Sequence, residues 1–177
     1  MTGVALPAAV SVLEPPQSQA ASDPAQEFRA VMSCIPKGVA VVTSQGRFGP
    51  CGMTVSALCS VSVNPQLVLV CCDNRSHTLK ILRESGRFAI NVLGFDQQHL
   101  SRTFATRQGG PDKFLGVSFS SAEGAPILHD AQAWMVCEVT QLQPAGDHTI
   151  AIGAALEMCH RHGSPLIWHR GGYGRMA

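Results

Sequence analysis

Charge is what this chain has least of. Asp, Glu, Lys and Arg make up 14% of its 177 residues, where soluble domains carry about a quarter. The 13 basic residues are scattered and the formal net charge is +1. No basic stripe with interleaved aromatics is present, so nucleic acid is not an expected partner. One Tyr and two Trp are poor equipment for stacking on carbohydrate. No apolar run reaches the ~18 residues of a membrane span, so no membrane is expected either. The phosphate-binding patterns GxGxxG and GxxxxGK[ST] are missing, as are HExxH and GxSxG; this removes Rossmann, P-loop, zincin and serine-hydrolase readings. Seven cysteines are an odd count without a CxxC pair, which fits a reducing, cytoplasmic compartment.

What remains is a chain long enough for one domain with a real core. Its low charge is accounted for if part of the exterior is covered by a second copy. Residues 1–22 are rich in Ala, Pro, Ser and Gln and read as a disordered tail. Residues 4–13 are apolar, but Pro7 interrupts them and the first basic residue is Arg29, so no signal peptide is expected. Residues 23–177 form the expected domain. Asp23, Pro24 and Gln26 mark a helix start, and Phe28, Val31, Met32 and Ile35 recur at the spacing of one buried helix face.

Strands dominate from there. GVAVVTS (38–44) is one. Gly52 to Asp73 reads as two antiparallel strands meeting at Asn64-Pro65. Ser76 caps a short helix, His77 to Ser85, with Gly86 as its stop. RFAINVL (87–93) follows, then a helix from Gln97 to Ala105 with Leu100 and Phe104 on its apolar side, and a Gly/Pro-rich loop at 108–112. Ala133 to Leu142 and Thr149 to Cys159 are long strands joined by Gln143–His148, and Pro165 to His169 is the last. Strands without βαβ alternation predict an antiparallel barrel.

Three features suit chemistry. Thr54, Ser56, Ser60 and Ser62 put small hydroxyl side chains where a core-building strand would use Val or Ile. Such a strand can approach a flat, polar-edged ligand. Asp73-Asn74-Arg75-Ser76 ends a strand and opens a helix, which makes it either an anion site or an ordinary cap. His148 stands at a hairpin mouth, in phase with Ile150, Ile152, Ala154, Leu156 and Met158, as a turn residue or a ligand contact. Ala151, Gly153 and Ala155 in the other phase are small enough for another backbone to come close. His160 and His162, at i and i+2, lack a third metal ligand and read as a solvent-facing strand edge; no metal site is assigned.

Five stretches in order then carry a resemblance: FRAVMSCIPKGVAVVT (28–43), GMTVSALCSVSVNPQLVLV (52–70), FAINVL (88–93), QxxLSRxFA (97–105) and GDHTIAIG (146–153). From Phe28 to Tyr173 the chain resembles the flavin reductase-like family, the FMN-binding split-barrel reductases of two-component monooxygenases. The resemblance implies an all-β Greek-key split β-barrel with peripheral helices, forming a homodimer. It implies NADH- or NADPH-dependent reduction of FAD or FMN, with reduced flavin leaving for a partner monooxygenase. Gly52, Thr54, Val55, Ser56 and Ala57 would line the flavin ring. Cys71, Asp73, Asn74 and Ser76 would meet the ribityl chain and phosphate, and Arg102, Phe104 and Ala105 would close over the phosphate side. His148 would meet the nicotinamide. Ring stacking carries such a reaction, so no catalytic side chain is assigned. Two alternatives stay open: a tightly flavin-bound barrel acting on an organic substrate, and a non-catalytic flavin binder.

Overall fold

The computed structural model describes residues 23–106 and 110–176; the tail expected over 1–22 lies outside them. Helix α1 (Pro24–Ser33) starts as its sequence dictates, with the Asp23 carboxylate accepting the Ala25 amide at 3.1 Å and Pro24 in the first turn. Its apolar face departs from expectation. Phe28, Val31 and Ile35 are exposed, and α1 buries no residue against its own chain. The spacing correctly marks an apolar stripe, but among the described residues no element buries it.

Beyond α1 come β1 (Lys37–Gly38), β2 (Ala40–Gly46), β3 (Gly49–Val55), β4 (Leu58–Val63), β5 (Gln66–Asp73), α2 (His77–Ser85), β6 (Arg87–Val92) and α3 (Gln98–Ala105). These are followed by β7 (Phe119–Ala122), β8 (Ala125–Leu128), β9 (Ala133–Ala145), β10 (His148–His160), β11 (Ile167–His169) and β12 (Gly172–Gly174). The main sheet has seven strands in the order β3-β2-β6-β9-β10-β5-β4, antiparallel throughout. From β5 the chain crosses through α2 to β6, which pairs with β2, and β10 later returns to β5. The edges β3 and β4 do not pair with each other. Ser56 and Ala57 join them, and the Cys71 amide of β5 donates to the Ala57 carbonyl at 2.9 Å. This is a split antiparallel barrel with peripheral helices, as the sequence predicts.

The barrel interior is one apolar cluster. Ala40 and Val42 (β2), Val55 (β3), Val68, Val70 and Cys72 (β5), Phe88 and Ile90 (β6), Cys137 (β9) and Ala151 (β10) meet Leu79 and Leu82 of α2. Each large side chain in it contributes about 1.5–3 kcal/mol through burial. A second cluster, with Val39, Val41, Leu100, Phe104 and Phe114, seats α3 on the outer face of β2. Between them Asn91 is fully buried and fully used. Its amide donates to Val41 O at 3.1 Å and Thr43 Oγ1 at 3.0 Å, and its oxygen accepts the Leu128 amide at 2.8 Å.

Three local expectations need correction. On β10 the small phase faces inward: Thr149, Ala151 and Gly153 are buried, Ile150 and Ile152 are half-buried, and Leu156 and Met158 are exposed. The space left by Gly153 admits the Phe88 ring rather than a backbone. The β9–β10 strands also run further than predicted, leaving only Gly146 and Asp147 as the turn. His160 ends β10 and His162 lies beyond it, so the two do not share a strand.

Candidate active site

The split between β3 and β4 positions a cleft of about 550 Å³, within the ~300–1,000 Å³ of ordinary ligand sites. One wall is the end of β3 and the linker after it, Met53 to Ala57. The facing wall is the end of β5 and the start of α2, with Cys71, Asp73 and Arg75 to Thr78. Phe104, Ala105, Thr106 and Lys113 close another side, and His148 stands at the rim.

The linker is wide open sterically because Ser56 and Ala57 carry so little side chain. Thr54 spends its hydroxyl inside the protein, donating to the Ser101 carbonyl at 2.7 Å and fastening β3 to α3. Gly52 does not line the cleft. It lies beneath Phe104, whose ring carbons Cδ1 and Cε1 are 2.8 Å from where a Cβ would sit. Glycine is needed there so that this ring can close the cleft wall.

Across the cleft, Ser76 is the N-cap of α2, its Oγ accepting the Thr78 amide at 3.1 Å and donating to Met53 Sδ at 3.0 Å. Arg75 is not a free guanidinium. It clasps Asp73 with two bonds, Nε to Oδ1 at 3.1 Å and Nη2 to Oδ2 at 2.8 Å. That pairing holds the Asp73 carboxyl well below the usual carboxylate range.

Asn74 also turns away from the cleft. Its Nδ2 donates to Gly146 O at 3.2 Å and its Oδ1 accepts Thr149 Oγ1 at 2.7 Å. It thereby ties the β5 end to the β9–β10 turn, which brings His148 opposite Asp73 in the strand register. The Asp147 carboxylate lies 2.7 Å from His148 Nδ1, which leaves Nε2 for a ligand. This bond holds the Asp147 carboxyl below its ordinary range. Arg102, expected near the phosphate, is exposed and lies 5.6 Å from the centre of the Tyr173 ring instead.

Thus the structure brings Thr54, Val55, Ser56, Ala57, Cys71, Asp73, Ser76, Phe104, Ala105 and His148 to one cleft, and leaves Gly52, Asn74 and Arg102 outside its lining. It adds Met53, His77, Thr78, Thr106 and Lys113. His77 and Thr78 were legible as the turn following the Ser76 cap. Lys113 gave no signal beyond its place after the Gly/Pro-rich loop. It is 9% exposed and donates to the carbonyls of Gly52 and Phe104, and burial lowers its pKa.

Among the described residues no cluster of three or more His, Cys, Asp and Glu could hold a metal, and no helix is long and apolar enough to cross a membrane. The donor set suits a flat ring ending in an anion: small side chains on one wall, helix amides and a lysine elsewhere, a histidine at the rim. Comparison with known proteins agrees. The family model described as "Flavin reductase like domain" matches residues 32–177. A flavin reductase of Pseudomonas putida is 38% identical over 162 residues, 90% of this chain and 94% of the relative. The reductase component of a 4-nitrophenol 4-monooxygenase/4-nitrocatechol 2-monooxygenase from Rhodococcus opacus is 36% identical, covering 92% of this chain and 88% of the relative. The solved NADH:FAD oxidoreductase of Streptomyces globisporus superposes with a TM-score of 0.84 at 32% identity, over 92% of this chain and 99% of that one. With its split barrel, its cleft and its sequence in agreement, this chain belongs to the flavin reductase-like family.

Proposed function

We propose that this protein is an NAD(P)H-dependent flavin reductase that binds FAD or FMN in the cleft and supplies the reduced flavin to a partner monooxygenase. The observation that carries this reading is the convergence of a small-residue wall, a helix N-terminus and a rim histidine on one cleft. The names of the relatives agree with it, since they include flavin reductases, an NADH:FAD oxidoreductase and a monooxygenase reductase component.

When bound, a flavin supplies the hydride-accepting chemistry that no side chain of this cleft offers. The chain's own part is placement. Ser56 and Ala57 leave room for a flat ring against the linker, and Phe104 bounds that space. Ser76 and the first amides of α2 face the ligand's anionic end. His148, with Nδ1 anchored on Asp147, presents Nε2 to the second ring. Bringing two reactants into contact geometry is what this arrangement can contribute to the rate.

A homodimer belongs to the same reading. Phe28 and Met32 of α1 and Ile35 just after it line, with Trp168 of β11, an apolar groove of about 220 Å³, and the chain's low charge points the same way. We place the protein in the cytoplasm on its odd set of seven cysteines, all free.

The deciding experiment is a turnover matrix, NADH and NADPH each combined with FAD, FMN and riboflavin, followed by loss of nicotinamide absorbance. The expected outcome is NAD(P)H consumption dependent on added flavin. A matrix with no activity in any cell would overturn the reading.

A further inference from the structure

Thr149 is a hydroxyl in an apolar place. It is 1% exposed, on the inward phase of β10 that continues with Ala151 and Gly153. A valine would fill nearly the same volume with no polar group to satisfy, and a buried hydroxyl is costly unless it is hydrogen-bonded. Here it both accepts and donates. Arg83 Nη2 of α2 donates to Thr149 Oγ1 at 3.0 Å, and Thr149 Oγ1 donates to Asn74 Oδ1 at 2.7 Å. The same Asn74 amide then donates from Nδ2 to Gly146 O at 3.2 Å.

All three bonds run in one direction, from guanidinium to hydroxyl to amide to carbonyl, so each polarises the next. The chain starts on α2, whose first residues wall the cleft, and ends at the turn beside the rim histidine. A staple between two elements would account for that much.

The turn asks for more than a staple. Gly146 and Asp147 belong to neither β9 nor β10, so the ladders that hold His148 do not hold them. The Asp147 side chain is 94% exposed, yet its Oδ1 lies 2.7 Å from His148 Nδ1. Asn74 fastens the turn that carries this carboxylate. Its backbone amide donates to Asp147 O at 3.0 Å while its side chain takes Gly146 O. Asn74 is itself exposed, and the Thr149 hydroxyl orients its side chain from the interior.

Resting on the function proposed above, in which His148 meets the nicotinamide, we infer that Arg83, Thr149 and Asn74 are positioning residues. They set the place of Asp147 and, through it, the orientation of the His148 imidazole at the cleft rim. None of the three lines the cleft, so their effect on turnover passes through His148.

The test is a double-mutant cycle between Thr149→Val and His148→Ala, with Thr149→Ser and Arg83→Met alongside. Val keeps the volume and removes the hydroxyl. The groups it frees belong to Arg83 and Asn74, both exposed, so water can meet them and the fold should survive. Kinetics use the pair, among NADH or NADPH with FMN or FAD, that the wild type turns over fastest. Flavin dissociation constants and melting temperatures are read on the same preparations. Thr149→Val should lower kcat/KM for the nicotinamide about tenfold, short of the roughly hundredfold that a ~1 Å misplacement can cost. Flavin affinity should stay within a few-fold of wild type, and Thr149→Ser should restore the rate. In the His148→Ala background, Thr149→Val should lower kcat/KM no further, because the two side chains act as one unit. A folded Thr149→Val with normal kinetics, or equal losses with and without His148, overturns the inference while leaving the reductase reading in place. Should Thr149→Val not fold, Arg83→Met removes only the exposed start of the chain and is read by the same cycle. A wild type that turns over none of the pairs overturns both.

Discussion

The ring of Phe88 occupies the space that a side chain at Gly153 would need. A Cβ built on Gly153 would stand 2.7 Å from the ring's Cε1 and Cζ, and 2.7 Å from the Cβ of Cys137. Gly153 on β10 and Phe88 on β6 are thus matched across β9 in the barrel core. Gly153→Ala should cost about 1–3 kcal/mol through overpacking, seen as a lower melting temperature. Unchanged stability would mean that the core yields there more readily than its packing indicates.

The linker wall makes a separable prediction. Ser56→Leu puts a branched side chain into the cleft from a position outside the strand ladders, so flavin binding should fall by an order of magnitude or more while the melting temperature stays close to wild type. Titration of the variant with FMN and a thermal melt check it. Equal flavin affinity would place the ring elsewhere.

For His148, the expected effect falls on the nicotinamide. His148→Ala should raise the KM for NADH and lower kcat, with flavin affinity within a few-fold of wild type. If His148 serves only to finish the turn beside Asp147, stability would drop while kinetics per folded molecule stayed normal. The two outcomes are separated by measuring melting, flavin binding and NADH kinetics on one preparation.

Thiol reactivity should sort by position. Burial pushes the thiol of Cys51 up to about 11, and those of Cys72 and Cys137 up to about 12. A raised pKa keeps the unreactive thiol form dominant at neutral pH, so these three should label only after unfolding. Cys71 is half-buried and lines the cleft, so added FMN should slow its modification. Mass spectrometry of the native protein labelled with and without flavin reads both effects. FMN-independent labelling of Cys71 would count against a flavin beside β5.

The uncovered face of α1 predicts self-association. Val31→Asp places a charge in the middle of the stripe formed by Phe28, Val31 and Ile35, so a dimeric wild type should shift toward monomer in sedimentation velocity. Val31 is exposed in the single chain, so the fold of each protomer should survive. A wild type that sediments as a monomer would remove the dimer.

Much of the site was legible from local pattern. The cap at Ser76, the β3–β4 segment and the GDH turn each place a residue in the cleft, because caps, alternation and tight turns are decided within a few residues. Two predicted site positions that lie outside the cleft lining share a cause. Asn74 and Arg102 carry polar groups at plausible positions, but their partners, Gly146 and Thr149 for one and Tyr173 for the other, come from distant parts of the chain. Lys113 is the converse case, an ordinary surface residue by sequence that becomes a buried one when β3 and α3 meet around it.

By itself, then, the sequence determined that most of the strands and helices exist, that the sheet is antiparallel, and which short motifs stand next to one another along the chain. Backbone propensity, capping and turn chemistry act locally, so neighbouring residues suffice to decide them. It did not determine every end: the run read as one strand from Gly52 to the Asn64-Pro65 turn breaks at Ser56 and Ala57 into β3 and β4. Only the tertiary structure decided which face of each element is covered. Alternation on β10 marked two unlike faces, yet the small one became the inner face because Phe88 fills it. The stripe on α1 was plainly apolar, yet among the described residues none of it is buried. Burial depends on which distant surface arrives, and that is a property of the assembled barrel.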